Sequence, residues 1–227
     1  MKKPKVKELS FEAAKSSGKV SALLIVPGNA STLLVLGHGA GAGMRQRFME
    51  AIASRLADQG IGTFRYQFPY IEKGMRRPDP KPILLATVKS AVESATRMAD
   101  GLPLLAGGKS MGGRMTSNAC AEEPLPGVMG LVFFGFPLHP PKRPSTERAD
   151  HLLKVSIPML FLQGTRDDLA DLALLKPICK QLGKRATLHV VDGADHSFHV
   201  LKSSGTTDDS VLDELACTTR DWSEALA

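Results

Sequence analysis

The sequence predicts an α/β fold built on a mostly parallel, twisted sheet with helices on both faces. Three observations carry this. Apolar strand-type runs alternate with helix-type segments almost throughout. Several of these runs, Val128 to Phe136 among them, are of the apolar type that suits a buried strand. At 227 residues the chain has the length of one such domain, so residues 1–227 are expected to form a single unit without a separate lid.

Val20 to Val26 and Thr32 to Leu36 are apolar runs split by a Pro27-Gly28-Asn29 turn, and they are expected to pair as a hairpin that gives the sheet an antiparallel start. Arg45 to Gln59 carries Phe48, Ile52 and Leu56 at four-residue spacing, the period of a helix face, and Gly60 stops it. Thr63 to Phe68 reads as the next strand. A proline- and charge-rich loop from Pro69 to Pro82 then leads to a helix over about Ile83 to Asp100. The strand Leu102 to Ala106 runs into Gly108-Lys109-Ser110-Met111-Gly112 and a further helix. Beyond it, Val128 to Phe136, Pro158 to Gln163 and Thr187 to Val191 read as strands. Asp168 to Leu182 and Asp208 to Leu226 read as helices. No internal repeat or interdomain linker interrupts the pattern.

Composition narrows the classes. A hydrophobic share of 43% with 23% charge is globular. No apolar run approaches the ~20 residues of a membrane span, and the basic N-terminus from Met1 to Glu8 has no apolar segment behind it, so it does not read as a secretory signal. The cytoplasm is the expected compartment. Cys120, Cys179 and Cys217 are three in number and widely spaced, which suits reduced, buried thiols rather than a disulfide framework or a metal site. The net charge of +6 comes from dispersed lysines and arginines rather than a basic patch, so neither nucleic acid nor membrane is an expected partner.

The pentapeptide Gly108 to Gly112 has the form of a nucleophile elbow. A serine on a sharp strand-to-helix turn needs glycines two residues either side, because strand and helix pass too close for side chains. The alternative is a glycine-rich loop with an incidental serine. A nucleophilic Ser110 needs a base and an orienting acid, and both follow at the ends of later strands. Asp167 stands after Leu160-Phe161-Leu162-Gln163-Gly164-Thr165-Arg166, and His196 after Val190-Val191-Asp192-Gly193-Ala194-Asp195. Taken singly, Asp167 could be a turn residue or helix N-cap, with Asp168 competing for the cap. His196 could be an ordinary loop histidine, and His199 could share its helical face. His38, His139, His151 and His189 suit the base less well. Gly37-His38-Gly39-Ala40-Gly41 after the strand Leu33 to Leu36 offers a backbone N–H for an oxyanion, so Ala40 and Met111 are the expected donors. The same glycines can be read as a dinucleotide fingerprint with Arg65 facing a 2′-phosphate, a reading that leaves Ser110, Asp167 and His196 unexplained.

With these residues in hand, the chain resembles the α/β-hydrolase superfamily, within its dienelactone-hydrolase-like group. It is most similar to the small branch of testis-expressed hydrolase-like proteins and the hydrolase-like part of a histone-acetyltransferase-complex subunit. The motifs that carry this are Leu36 to Gly41, Phe64 to Phe68, Gly107 to Arg114, Phe136 to Pro141, Gln163 to Asp167 and Ala194 to Phe198. The resemblance implies the α/β-hydrolase fold, Ser110 as nucleophile, Asp167 as acid, His196 as base, and Ala40 with Met111 as oxyanion hole. The branch itself implies little about substrate; the expected reaction, from the triad, is hydrolysis of a small ester or thioester through an acyl-serine, with no cofactor or metal expected. Dienelactone hydrolases proper use a cysteine nucleophile, so their substrate does not transfer, and members of the nearer branch can act as non-catalytic binding modules. Arg65, Arg114 and His139 lie in shared motifs without a role that the sequence gives. Lys73, Arg76, Arg77 and Lys81 form a basic loop that suits either a solvated surface or an anionic substrate.

Overall fold

The computed structural model describes residues 5–14 and 17–226. Met1 to Pro4, half of the basic N-terminal cluster, lie outside the described residues. Among the described residues, eight strands form one sheet: β1 (Lys7–Ala14), β2 (Gly18–Ile25), β3 (Thr32–Gly37), β4 (Ile61–Tyr66), β5 (Leu104–Lys109), β6 (Val128–Phe134), β7 (Met159–Gly164) and β8 (Ala186–Val191). Their order is β1-β2-β4-β3-β5-β6-β7-β8, parallel from β4 to β8, with β1 and β2 antiparallel at the edge. The antiparallel start is therefore present, but not as the expected hairpin. β2 pairs with β1 on one side and with β4 on the other, and β3 lies beyond β4. The Pro27–Asn29 turn carries the chain over β4's place in the sheet. β1 escapes the sequence reading because its burial alternates from mostly exposed residues, so no apolar run announces it.

Helices α1 (Arg47–Asp58), α2 (Pro69–Glu72), α3 (Lys81–Met98), α4 (Met111–Glu122), α5 (Leu172–Leu182) and α6 (Asp208–Glu224) cover the sheet. Alternate strand residues feed two cores. Leu34, Leu36, Val132, Phe134 and Leu160 pack on one face with Phe48, Ile52 and Leu56 of α1 and Val211 and Leu215 of α6. Leu33, Val35, Phe133, Met159 and Phe161 pack on the other with α3, α4 and α5. Burying each such side chain contributes roughly 1.5–3 kcal/mol. α1 starts where Gln46 accepts from the Phe48 N–H at 2.8 Å.

Two other boundaries depart from expectation. The Pro69 to Pro82 loop contains α2, and α5 begins at Leu172 rather than Asp168. Its N-cap is Asp171, whose carboxylate accepts from the Ala173 N–H at 2.8 Å. Asp168 is an exposed residue of the preceding turn, so the cap that the sequence offered to Asp168 belongs to Asp171. A 3-10 helix, Glu147–Lys154, also forms in a stretch for which no element is expected from the sequence. Cys120 and Cys179 are buried, Cys217 is half-buried and all three are free thiols. Among the described residues no helix is long and apolar enough to cross a membrane.

Candidate active site

Ser110 stands between β5 and α4 with φ 51° and ψ −114°. A positive φ at a residue with a side chain is strained by roughly 1–3 kcal/mol and persists only where its surroundings enforce it. Here they do. A Cβ on Gly108 or on Gly112 would run into the Gly37 carbonyl oxygen, so only glycines let β3, β5 and α4 meet this closely. The Ser110 N–H donates to the Phe134 carbonyl at 3.2 Å, and its carbonyl accepts from the Arg114 N–H at 3.1 Å, starting α4.

The loops after β7 and β8 meet this serine. His196 Nε2 lies 2.9 Å from Ser110 Oγ, and His196 Nδ1 lies 2.8 Å from Asp167 Oδ2. The Asp167 side chain is 1% exposed and that of His196 20%, so the carboxylate is hidden behind the ring while the ring reaches solvent. Three donors converge on Asp167: the Leu169 N–H at 2.8 Å on Oδ1, and His196 with the Gln163 side-chain amide on Oδ2. Gln163 is itself oriented, because its Oε1 accepts from the Phe136 N–H at 3.0 Å. A carboxylate that only accepts fixes the imidazole as the Nδ1–H tautomer, which leaves the Nε2 lone pair facing Ser110.

The histidine loop is held from two sides. Asp195 Oδ1 accepts from the N–H groups of Ser197 and His199 at 2.7 and 2.9 Å. From beneath, Lys109 Nζ donates to the His196 carbonyl and lies 5.7 and 5.5 Å from the ring centroids of Phe48 and Phe198. Burial pushes the Lys109 ammonium down to about 8, against the pull of Asp167 and Asp195. Gln163 and Lys109 are the supporting residues that the sequence did not assign. Their only signal was a polar side chain at the end of an apolar strand.

Ala40 lies in the loop after β3, which β3–β5 pairing sets beside the elbow, with Gly37 opposite Gly108. A Cβ on neighbouring Gly39 would stand 3.7 Å from Ser110 Cβ. Met111 opens α4, where first-turn N–H groups have no intrahelical partner. Two cavities flank Ser110. The larger, about 640 Å³, is walled by Met111, Met115, Leu84 and Pro141 and holds Arg114 and Arg148. The smaller, about 310 Å³, holds His196, Ser197 and Phe48, and Ala40 borders both.

The other histidines are engaged elsewhere. His38 is fully buried. Its Nδ1 donates to the Gly39 carbonyl at 2.8 Å and its Nε2 accepts from the Phe68 N–H at 3.1 Å, and burial lowers its pKa to about 4. His139 Nδ1 donates to the Pro140 carbonyl, and its Nε2 accepts from the Asp171 N–H at 3.0 Å, tying the loop after β6 to the start of α5. His151 Nε2 lies 2.7 Å from Ser117 Oγ, but Ser117 is buried inside α4, and among the described residues no carboxylate pairs with that ring. His189 pairs with Glu214 at 2.6 Å. His199 pairs with Asp208 from the irregular segment after the His196 turn and shares no helical face with His196. The dinucleotide geometry is not formed: α1 starts at Arg47, well past the glycines, and Arg65 is buried, donating to the Met44 carbonyl at 3.1 Å. Among the described residues no cluster of three His, Cys, Asp or Glu side chains could hold a metal ion.

The model of the alpha/beta hydrolase domain family matches residues 30–224, which span β3 through α6. Among solved structures, a dienelactone hydrolase from Anabaena variabilis is similar at a TM-score of 0.75 with 21% identity, covering 97% of each chain. A serine hydrolase without a lid from Xanthomonas campestris is similar at 0.74 with 18% identity, over 96% of this chain and 95% of that one. Est1E from Butyrivibrio proteoclasticus is similar at 0.71 with 16% identity, over 96% and 98%.

Proposed function

The chain belongs to the alpha/beta hydrolase family, and from that premise we propose that it is a serine hydrolase that cleaves a small ester or thioester through an acyl-serine intermediate. The observation that carries the reading is the hydrogen-bonded line from Ser110 Oγ through His196 to a buried Asp167, at 2.9 and 2.8 Å, on a strained elbow. His196 Nε2 takes the Ser110 proton as Oγ attacks the carbonyl carbon. Asp167 stabilises the imidazolium, and the N–H groups of Ala40 and Met111 hold the oxyanion. Collapse expels the alcohol or thiol with the proton from His196, and water then repeats the sequence on the acyl-serine.

The similarity to dienelactone hydrolases is one of fold, and the serine here separates the chemistry from their cysteine. We place the chain in the testis-expressed branch on the sequence motifs alone, as one domain over residues 1–227 working without a cofactor. A fluorophosphonate probe with a panel of 4-nitrophenyl esters and acyl thioesters tests the reading. Ser110→Ala is expected to lose label and at least a thousandfold in kcat while keeping its fold. A folded wild-type protein that takes no label and turns over no ester is a binding module instead.

A further inference from the structure

The larger cavity holds two arginines without a carboxylate partner among the described residues. Arg114 lies one turn along α4 from Ser110, and Arg148 enters from the 3-10 helix Glu147–Lys154, with Lys81 at the rim. No ion pair among the described residues includes any of the three. Arg114 Nε is buried without a hydrogen-bond partner. Among the described residues the one hydrogen bond of the Arg148 side chain is a long 3.5 Å bond to the Pro137 carbonyl. Asp79 also borders the cavity, but it forms no ion pair there and its Oδ2 accepts from the Tyr70 N–H at 2.8 Å. Burial, then the charge of Arg148, pulls the Arg114 guanidinium below its ordinary value, so the two cations sit together at a cost that an anion would relieve.

The cavities also differ in what they can receive. A leaving group must depart where His196 can protonate it, which is the smaller cavity. The acyl group therefore lies in the larger one, its methylenes along Met111, Met115 and Leu84 and its far end at the arginines. We propose that the acyl group carries a terminal carboxylate bound by Arg114 and Arg148, which makes the substrate a half-ester or half-thioester of a dicarboxylic acid. The planar guanidinium fork matches a carboxylate in two parallel hydrogen bonds. This rests on the serine hydrolase reading above and adds its substrate class.

The test compares kcat/KM for 4-nitrophenyl hydrogen adipate and 4-nitrophenyl hexanoate, equal in acyl length and differing in the terminal carboxylate. It sets beside them 4-acetoxybenzoate and phenyl acetate, where the carboxylate is on the leaving group. The adipate half-ester is expected to be favoured by tenfold or more, with no gain from the carboxylate on the leaving side. Arg148→Gln and Arg114→Gln should each lower the adipate-to-hexanoate ratio by about tenfold to a hundredfold. Arg148→Lys should keep part of it, and added salt should reduce it. If Arg114→Gln does not fold, Arg148→Gln decides. Equal use of both esters by a protein whose Ser110 takes fluorophosphonate overturns the carboxylate pocket and leaves the hydrolase standing. A protein that takes no label and turns over neither ester overturns both.

Discussion

Asp167→Asn swaps one atom and separates an orienting carboxylate from a mere turn residue. In the native site three N–H donors point at two oxygens: Leu169 at Oδ1, with His196 and Gln163 at Oδ2. An asparagine offers one oxygen and one NH2. With its oxygen toward Leu169, the NH2 faces the Gln163 amide and forces His196 to accept at Nδ1. The ring then carries its proton on Nε2 and cannot take one from Ser110. With the amide turned over, the NH2 opposes the Leu169 N–H instead, a buried clash of donors worth roughly 1–3 kcal/mol. Both arrangements set donor against donor, but the Gln163 side chain can turn away and the histidine can change tautomer, whereas the Leu169 backbone N–H cannot move, so the first is the less costly. Its kinetic consequence is a fall of about 10⁴ in kcat, or about 5.5 kcal/mol of transition-state stabilisation. The assay is the rate of Ser110 labelling by a fluorophosphonate together with kcat on 4-nitrophenyl acetate, with a thermal melt to establish folding. Gln163→Leu is the graded comparison, since it removes one of the donors on Asp167 and should cost about tenfold. A folded Asp167→Asn protein within tenfold of wild type would refute the assignment.

Three further outcomes are expected. Asp171→Ala should destabilise the protein by about 1 kcal/mol through loss of the α5 cap, whereas Asp168→Ala should stay within about 0.5 kcal/mol; paired urea unfolding curves check this, and equal losses would reverse the capping assignment. The Lys109 ammonium is charged below about 8, so as pH rises through that value the positive charge beside Asp167 is lost. kcat/KM should decline there in the wild type but not in Lys109→Met, and a shared decline would remove Lys109 as its cause. His38 is held neutral with a pKa near 4, below its ordinary value of 6.5. Its contribution to stability is therefore complete above 6.5 and is lost as pH falls from 6.5 toward 4, by roughly 3 kcal/mol at most. Unfolding free energies that match at pH 7 and pH 4.5 would refute this.

The sequence showed most of the sheet because strands covered on both faces are continuously apolar, and β3, β6 and β7 announce themselves that way. β1 was hidden by its exposure. The order of the strands was hidden too, since nothing in Val20 to Leu36 says that β4 inserts between the two runs. The residues around Ser110 were legible because a strained elbow admits so few sequences. What oriented them was not. Gln163 reaches Asp167 through a side chain whose direction depends on β7 lying beside β6, and Lys109 reaches the His196 carbonyl from a position 87 residues away. His38 drew notice beside the glycines, yet its imidazole closes a backbone hydrogen bond to Phe68.

Why these loops converge follows from pairing rather than from the loops themselves. β3 and β5 are parallel neighbours with Gly37 opposite Gly108, so the Ala40 loop and the elbow leave the same edge of the sheet side by side. β7 and β8 are likewise paired, Gly164 opposite Val191, which delivers Asp167 and His196 as adjacent loops. Between the two pairs stands β6, followed by Gly135 at φ 70°. A Cβ there would lie 3.0 Å from Lys109 Nζ and 3.3 Å from His196 Nδ1, in the space the histidine must cross to reach Ser110. A side chain at Gly135 would press on both His196 and Lys109 and would be strained by its own backbone. The gap between the halves of the candidate site is thus kept open by one glycine, just after the strand that carries none of Ser110, Asp167 and His196.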